Sequence, residues 1–423
     1  MLDRLIKVLN ECNVSDYSIS EKTIVSHQAF FIKQKLDQHR ISDTKQYDVT
    51  IFVDIDGKRG QTTKELFDGQ SDEELRKEIE NMKFDASLGL NPYFELVKDQ
   101  KHFEAKEDFN LLDALKNVIK AVSSINDTET ELINSYEVFV NQNYVHIVNS
   151  QGLDVSYNKI DEMVEIIINS IKDGHEVEVY HMSTCGPDQP AEVIADEIRA
   201  VFKKAHDRSN AVNTKQMLNQ HVLISGIDLR EFFEYFIEKS NTRAIFSRVS
   251  QVKVGDVVQS SDDCDKITLE IKEKLPRSSK NIPYASDGLK CKDYVLFDEG
   301  KYAAYNGDYR TAYYLGIKDV APAYNYVVKA GSKSVEEMKK DEYLEIVQFS
   351  NFQMDAMTGD FGGEIRLAYY YDGKTVTPVT AGSITCNMNN VLNHIYLSKE
   401  QSQFDYCVIP STIELFDINV SGQ

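Results

Sequence analysis

The 423-residue sequence contains no tryptophan, so its aromatic packing depends on 23 tyrosines and 20 phenylalanines. Long apolar runs are also absent, because no stretch approaches the roughly 20 apolar residues of a transmembrane helix. The N-terminal stretch MLDRLIKVLNEC has the pattern of an amphipathic helix with acidic residues and lacks the apolar core of a signal peptide. These absences predict a cytoplasmic protein without a membrane segment.

Closely spaced cysteine pairs are missing as well. A structural zinc site needs ligands in such pairs, and no CxxC occurs, so the sequence offers no motif for one. Widely spaced cysteines are typical of reduced thiols in a cytosolic protein. The six are Cys12, Cys185, Cys264, Cys291, Cys386 and Cys407.

Positive charge is scarce: 47 Lys and Arg residues stand against 68 Asp and Glu residues, for a net charge of −21. Such a surface repels phosphate backbones, and no basic cluster offsets it. The densest candidate, residues 272–280, is short and interrupted by Glu and Pro. We therefore expect no direct nucleic-acid binding, whereas a basic or unfolded peptide would suit an acidic surface.

Length and composition predict a two-domain globular protein. The hydrophobic fraction of 42% and the charged fraction of 27% are ordinary for a folded chain. The polar segment 207–216 is the expected boundary. We therefore divide the chain into an N-terminal domain, residues 1–212, and a C-terminal domain, residues 213–423.

The N-terminal domain is predicted to be an α+β unit with a mostly antiparallel sheet. Helices are expected at 2–12, 72–83 and 109–124, the last capped by Asp108, and another follows Cys185-Gly186-Pro187 to about 206. Strand-like runs cover 16–32, 47–54, 58–63, 135–141, 144–149, 153–158, 163–171 and 176–182.

The C-terminal domain is predicted to consist of many short antiparallel strands, in a sandwich or barrel-like sheet, with a few helices. Helices are expected at 229–239, 334–340 and 388–395. The expected strands are 222–224, 243–258, 265–271, 293–297, 301–305, 324–328, 343–350, 361–371, 375–379 and 412–418.

Motifs for catalysis are weak. His175-Glu176 and His181 have a metalloprotease-like composition, but their segment alternates like a strand, which separates the two imidazoles by about 20 Å at roughly 3.3 Å per residue. Cys185 precedes a predicted helix and could be an activated thiol, yet no base accompanies it in sequence. Asp355, Asp360 and Glu364 flank a turn, where solvation or local capping is the expected role.

The most distinctive stretch is residues 358–392, TGDFGGEIRLAYYYDGKTVTPVTAGSITCNMNNVL. Asp372-Gly373 between two β-type runs predicts a hairpin. The stretch resembles the C-terminal signature of the TldD/PmbA family, known also as modulators of DNA gyrase. The residues that carry this resemblance are Thr358, Gly359, Asp360, Phe361, Asp372, Gly373, Pro378, Val379, Gly382 and Ile384.

Other segments match the same family in the same order along the chain. They are YDVTIFVDIDGKRGQTT from Tyr47, Asn91-Pro92-Tyr93, the NSQGL turn at 149–153, Asp298-Glu299-Gly300, residues 309–312 and CVIPSTIEL at 407–415. "GDFG" in place of "GDFS" marks a divergent member.

The family contains a zinc-bearing subunit, TldD, with an HExxxH helix, and a partner subunit, TldE or PmbA, that lacks it. In the register that the resemblance implies, Arg230 and Tyr235 occupy the two histidine positions, and only Glu231 of the motif remains. Arginine stays cationic and cannot ligate zinc. We therefore expect no catalytic residue, metal or cofactor on this chain, with zinc only in a TldD-type partner.

The same helix has a structural explanation. Asp228 and Glu231 have the spacing of a capping box. An apolar stripe at i, i+3, i+4, i+7 and i+8 is typical of a buried helix face. Its members are Leu229, Phe232, Phe233, Phe236 and Ile237.

The resemblance implies a PmbA-like, non-catalytic subunit of a zinc metalloprotease acting on unfolded or modified peptides. Its partner would be a TldD-like subunit, or a second copy in a homodimer. Two alternatives stay open: a self-associating peptide-binding or scaffold protein, and a stand-alone hydrolase with a dispersed site such as Cys185 and His221. The charge of −21 makes any link to DNA gyrase indirect.

Overall fold

The computed structural model describes residues 1–422. No helix in that range combines the length and apolar character that crossing a membrane requires. The helices are α1 Leu2–Glu11, α2 Asp72–Leu88, α3 Leu111–Ser123, α4 Ala191–Ser209, α5 Leu229–Lys239, α6 Thr242–Phe246, α7 Tyr309–Leu315, α8 Val335–Met338 and α9 Met388–Val391.

Strands β1 to β8 belong to the N-terminal half. They are β1 Asp16–Ile32, β2 Lys35–Ile55, β3 Lys58–Leu66, β4 Asn91–Pro92, β5 Lys101–His102, β6 Glu131–Asn149, β7 Asp154–Lys172 and β8 His175–Cys185.

The remaining strands lie in the C-terminal half. They are β9 Val212–Asn213, β10 Met217–Ser225, β11 Leu269–Lys272, β12 Tyr294–Asp298, β13 Lys301–Tyr302, β14 Asn325–Val328, β15 Tyr343–Phe349, β16 Gln353–Met354, β17 Asp360–Tyr371, β18 Val376–Thr380, β19 Ser383–Asn387, β20 Tyr396–Leu397, β21 Gln401–Phe404, β22 Cys407–Pro410 and β23 Thr412–Ser421.

The N-terminal half is built on one large sheet, in the order β4-β3-β2-β1-β6-β7, with β5 and β8 both paired to β7. All of these pairings are antiparallel except β5 with β7. Helices α1 and α2 pack on one region of this sheet and α3 and α4 on another, each over its own apolar cluster. The predicted α+β unit with a mostly antiparallel sheet is confirmed.

The predicted run at 16–32 is confirmed as β1, whereas β6 and β7 were each predicted as two shorter pieces, and that prediction is wrong. A break was expected at Gln142-Asn143, but β6 is continuous there, and residues 154–172 form the single strand β7. The polar side chains are satisfied without a turn: the Gln142 amide donates to the Glu107 carbonyl at 2.7 Å, and the Asn141 amide donates to Asp161 at 2.8 Å. Polar composition therefore mimicked a loop signal inside a strand.

One helix cap differs from the cap predicted from the sequence. Asn110, rather than Asp108, caps α3, because its side-chain oxygen accepts a hydrogen bond from the Asp113 amide at 3.1 Å. Helix α2 begins with a full capping box between Ser71 and Glu74.

Gly60 on β3 packs tightly against α2, and we predict that Gly60→Ala destabilises the protein by about 1–3 kcal/mol. A Cβ at this position would overlap the carbonyl oxygen of Ala86, whose side chain is fully buried. Urea denaturation measures the change in the free energy of unfolding. Gly69→Ala is the matched control, because a Cβ there meets nothing within 4 Å. Equal losses in the two variants would contradict the close packing of β3 on α2.

The C-terminal half contains a closed barrel of five strands, β15-β10-β23-β19-β17, closed by pairing between β15 and β17. A second sheet has the order β13-β12-β11-β14-β22-β21. Most pairs are antiparallel, while β10–β15, β14–β22 and β9–β18 are parallel. The prediction of short strands in a barrel-like arrangement is confirmed, as is the hairpin β17–β18, in which Tyr371 pairs with Val376.

Helix α5 lies in the core shared by the barrel and the second sheet. The predicted helix is confirmed, and its stripe is buried except at Ile237, which is partly buried. The adjoining prediction, a strand at 243–258, is wrong. Residues 242–246 form α6, which is capped by Asn241, and Ser250 and Gln259 bond through their side chains to backbone groups of other segments.

Candidate functional site: the cleft between the two halves

A cleft of about 690 Å³ separates the two halves of the chain near the N-terminal end of α5. One wall consists of residues from β7, β8, α4 and the segment before α4. The other consists of α5, the loop 277–280 and the hairpin β21–β22. The halves touch directly beside the cleft, where the Gly186 amide donates a hydrogen bond to the Arg277 carbonyl at 2.8 Å. Residues of both halves line the cleft, and ligand sites are frequent at such positions between domains.

Arg230 extends from the first turn of α5 into this cleft. Its guanidinium lies 5.2 Å from the ring centroid of Tyr406, a cation–π distance. Its Nε is 3.8 Å from a carboxylate oxygen of Glu234, which accepts a hydrogen bond from the Tyr406 hydroxyl at 2.9 Å. The buried Nε of Arg230 has no hydrogen-bond partner among residues 1–422. Stacking on Tyr406 therefore holds the guanidinium at the wall of the cleft.

Tyr235 has quite different surroundings. A regular α-helix turns about 100° per residue, so positions five apart point in directions that differ by about 140°. Tyr235 is 7% exposed, and its hydroxyl lies 3.6 Å from where a Cβ of Gly359 would be. Gly359 has φ +81°, a conformation that favours glycine. The two positions at which the resemblance places histidines therefore face different parts of the molecule.

Glu231 is half-buried, and burial, together with Asp228 and Glu234, raises its pKa. The predicted capping box between Asp228 and Glu231 is wrong, because Asp228 makes no side-chain cap bond to the helix. Its backbone is already helical, and its carboxylate accepts a hydrogen bond from the Phe349 amide on β15 at 3.1 Å. The aspartate thus ties the start of α5 to the barrel.

The signature turn consists of local hydrogen bonds. Asp355 accepts from the amides of Met357 and Thr358, and these bonds lower its pKa. Asp360 accepts from the Asn387 amide at 2.7 Å, and this bond, with one from Thr358, lowers its pKa. Lowered pKa values and exposed, hydrogen-bonded carboxylates describe a turn stabilised by its own side chains.

The other signature residues lie in the barrel. Phe361 packs edge-on against Phe232 of α5, with ring centroids 5.5 Å apart. Gly373 lies in the turn of the β17–β18 hairpin, and Pro378 pairs with Tyr369 within it. Gly382 fits closely against the Ser421 backbone. Glu364 sits in β17, opposite Ser383 of β19.

The isolated candidates from the sequence do not form one site. Cys185 ends β8 at the cleft, five residues before the cap of α4, and burial and Glu162 raise its pKa, which keeps the thiol protonated. Burial, with Asp188, raises the pKa of Glu162 to about 7. His221 does not line this cleft. Its ring stacks on Phe416 and contacts Glu414 at 2.9 Å.

The histidines of β8 are not paired with each other either. His175 and His181 lie in one extended strand, and His181 contacts Glu197 at 3.0 Å. Within the described residues, no group of three or more His, Cys, Asp or Glu side chains has an arrangement that could hold a metal ion. The absence of a metal on this chain stays a prediction.

The sequence patterns did not indicate several residues that line the cleft. The main ones are Arg277, Lys280, Asp405 and Tyr406. Segment 272–280 was considered only as a basic patch for nucleic acid. The available signal was Arg277 and Lys280 on either side of a serine pair, but nothing local indicates that these two cations line the same cleft as Arg230.

The fold and the cleft define an α+β protein of two halves, with a five-strand barrel in its C-terminal half. Residues 219–422 match the family model of the PmbA/TldA metallopeptidase C-terminal domain. The resemblance to the TldD/PmbA family predicted from the sequence is confirmed. A search of curated proteins found no match.

Solved structures of similar fold cover essentially the whole chain. TldE from Thermococcus kodakarensis has 15% identity and a TM-score of 0.77, covering 99% of this chain and 100% of that one. A proposed modulator of a DNA gyrase from Thermotoga maritima has 17% identity and a TM-score of 0.77, covering 99% of each chain. A similarly described protein from Bacteroides thetaiotaomicron has 14% identity and a TM-score of 0.80, covering 100% of this chain and 99% of that one. At these identities the likeness concerns the fold.

Proposed function

We propose that this chain is a PmbA/TldE-like subunit of a TldD/TldE-type zinc metalloprotease that acts on unfolded or modified peptides. It is not itself the cutting subunit but shapes the peptide groove. The observation that carries the proposal is which residues α5 has at the two positions where the resemblance implies zinc-binding histidines. Arg230 and Tyr235 replace the two histidines that the resemblance implies, and they face different surroundings. An arginine has no lone pair to offer a metal.

Two further observations support the proposal. The barrel half carries a domain of a metallopeptidase family, and a structure called TldE shares the fold. A glutamate without metal ligands around it cannot activate water as a zinc-protease base does. The zinc and the catalytic groups are therefore assigned to a TldD-type partner, and the cytoplasmic location stays a prediction from the sequence.

Affinity capture from native lysate, read by mass spectrometry, tests the partner. We expect a TldD-type protein to co-purify with this chain, and we expect peptidase activity on unfolded peptides when the two are mixed. Each protein alone serves as the control, and metal analysis of this chain alone should find no stoichiometric zinc. If the chain neither associates with a TldD-type protein nor restores peptidase activity on mixing, the subunit proposal is wrong. Self-association alone would favour the scaffold alternative instead, and stoichiometric zinc would favour the hydrolase alternative.

A further inference from the structure

The cleft holds three cationic side chains with no carboxylate oxygen of residues 1–422 closer than 3.8 Å: Arg230, Arg277 and Lys280. No carboxylate among residues 1–422 lies within 4 Å of the side-chain nitrogens of Arg277 or Lys280, and Arg230 reaches only the 3.8 Å contact with Glu234. The net charge of the chain is −21, so three such cations in one cleft form a local concentration of positive charge on an otherwise acidic protein.

The acidic side chains of the same cleft are already engaged. Asp161 contacts Lys159 at 3.1 Å and accepts from Asn141. Glu197 contacts His181 and accepts from Ser183, both at 3.0 Å. Asp405 accepts from the amide and hydroxyl of Ser279 at 2.7 and 2.6 Å. The cleft therefore has unused donors and few unused acceptors, which is the complement of an anion.

Apolar side chains flank these cations. Met182, Val193 and Ile227 line the cleft and are 46%, 42% and 40% exposed. Solvent-exposed apolar side chains next to charged donors are complementary to a ligand that carries an anionic group next to an apolar group.

We propose that this cleft binds a peptide by a carboxylate. Arg230, Arg277 and Lys280 hold the carboxylate, and a neighbouring apolar side chain of the peptide packs on Met182, Val193 and Ile227. The carboxylate is either the C-terminus of the peptide or an acidic side chain. This inference rests on the proposed function in taking the ligand to be a peptide, but it concerns this chain alone and needs no partner.

Fluorescence anisotropy with the purified full chain tests the site. The probes are a short labelled unstructured peptide ending in a free leucine carboxylate, the same peptide as its C-terminal amide, and an amidated peptide with one internal glutamate. At least one carboxylate-bearing peptide should bind about tenfold more tightly than the plain amide, as expected for charge-assisted hydrogen bonds. Tight binding of the first or the third peptide identifies which carboxylate is held.

Variants show where the peptide binds. Arg277→Gln and Arg230→Gln should each weaken binding about tenfold. Arg277 is exposed, so its replacement should leave the stability of the fold unchanged. A loss of binding in this variant therefore reports on the peptide site. Lys58→Gln, an exposed cation in the β2–β3 turn, is the control and should leave binding unchanged.

Three results would overturn the proposal. They are equal binding of the carboxylate and amide peptides, unchanged binding in Arg277→Gln, and no binding of any peptide. None of these results bears on whether the chain associates with a TldD-type partner. The affinity capture measures that association separately.

Discussion

Replacing Arg59 with methionine should lower the free energy of unfolding by about 3–5 kcal/mol, because it leaves the buried Asp16 carboxylate without its cation. Arg59 is 1% exposed and lies at the centre of the N-terminal sheet's contact with the loop after α2. Its Nε contacts Asp54 at 2.7 Å, its Nη1 donates to the Phe94 carbonyl at 2.9 Å, and its Nη2 pairs with Asp16. Burial would lower the pKa of Arg59, but hydrogen bonds and charge from Asp54 and Asp16 raise it.

The same guanidinium also supports the contact between the two halves. It lies 4.5 Å from the ring centroid of Tyr93 and 5.6 Å from that of Phe94. Phe94 packs edge-on against Tyr314 of α7, and the Tyr314 hydroxyl donates to the Pro92 carbonyl at 2.7 Å. Loss of Arg59 should therefore loosen the junction as well as the sheet.

Urea denaturation followed by circular dichroism measures this change. The matched control is Arg199→Met, which breaks exposed pairs with Glu192 and Asp196 and should cost less than about 1 kcal/mol. A loss in Arg59→Met no larger than in the control would show that the buried ion pair does not stabilise the fold.

The pH dependence of the same two proteins gives an independent check. Burial alone would raise the pKa of Asp16, but hydrogen bonds from Gln151 and Ser150 and the charge of Arg59 lower it below its ordinary value near 3.8. Because the folded-state pKa is lowered, the stability from this carboxylate is present above about pH 3.8 and is lost as the pH falls through the lowered value. In Arg59→Met the acid-side loss should shrink.

Phe236→Ala on α5 should cost about 3–5 kcal/mol, the usual range for removing a fully buried phenylalanine. Phe236 is 0% exposed, and its ring centroid is 4.4 Å from that of Phe297 on β12. One turn earlier, Phe232 packs against Phe361 in the barrel. The helix therefore joins the barrel to the second sheet, and a cavity at Phe236 weakens both contacts.

Glu231→Gln on the same helix is the matched comparison, and its stability should stay within about 0.5 kcal/mol of the wild type. Burial raises the pKa of Glu231, so removing the charge removes a desolvation cost along with any favourable contact. The variant should also leave unchanged the peptidase activity expected of the proposed complex with a TldD-type protein. A loss of that activity in a folded variant would contradict the proposed non-catalytic role of the helix.

Local patterns predicted a large part of this fold. The period-2 alternation of the strands, the apolar stripe of α5 and the Asp-Gly turn of the β17–β18 hairpin each depend on residues close in sequence. The same reasoning failed where local polarity has a distant partner. Gln142 bonds to Glu107 and the strand continues, and Asp228 bonds to Phe349 rather than capping its own helix.

The sequence by itself determined the α+β class, the resemblance to the TldD/PmbA family and the presence of Arg and Tyr at the two positions where that resemblance implies histidines, because residue types and short spacings carry that information. Only the tertiary structure decided that Arg230 faces a cleft with Arg277 and Lys280, and that Tyr235 faces the signature turn. Glu234 and Tyr406, which frame Arg230, are 172 residues apart. Spacing in sequence says nothing about such a contact, since it arises when barrel and second sheet close around α5.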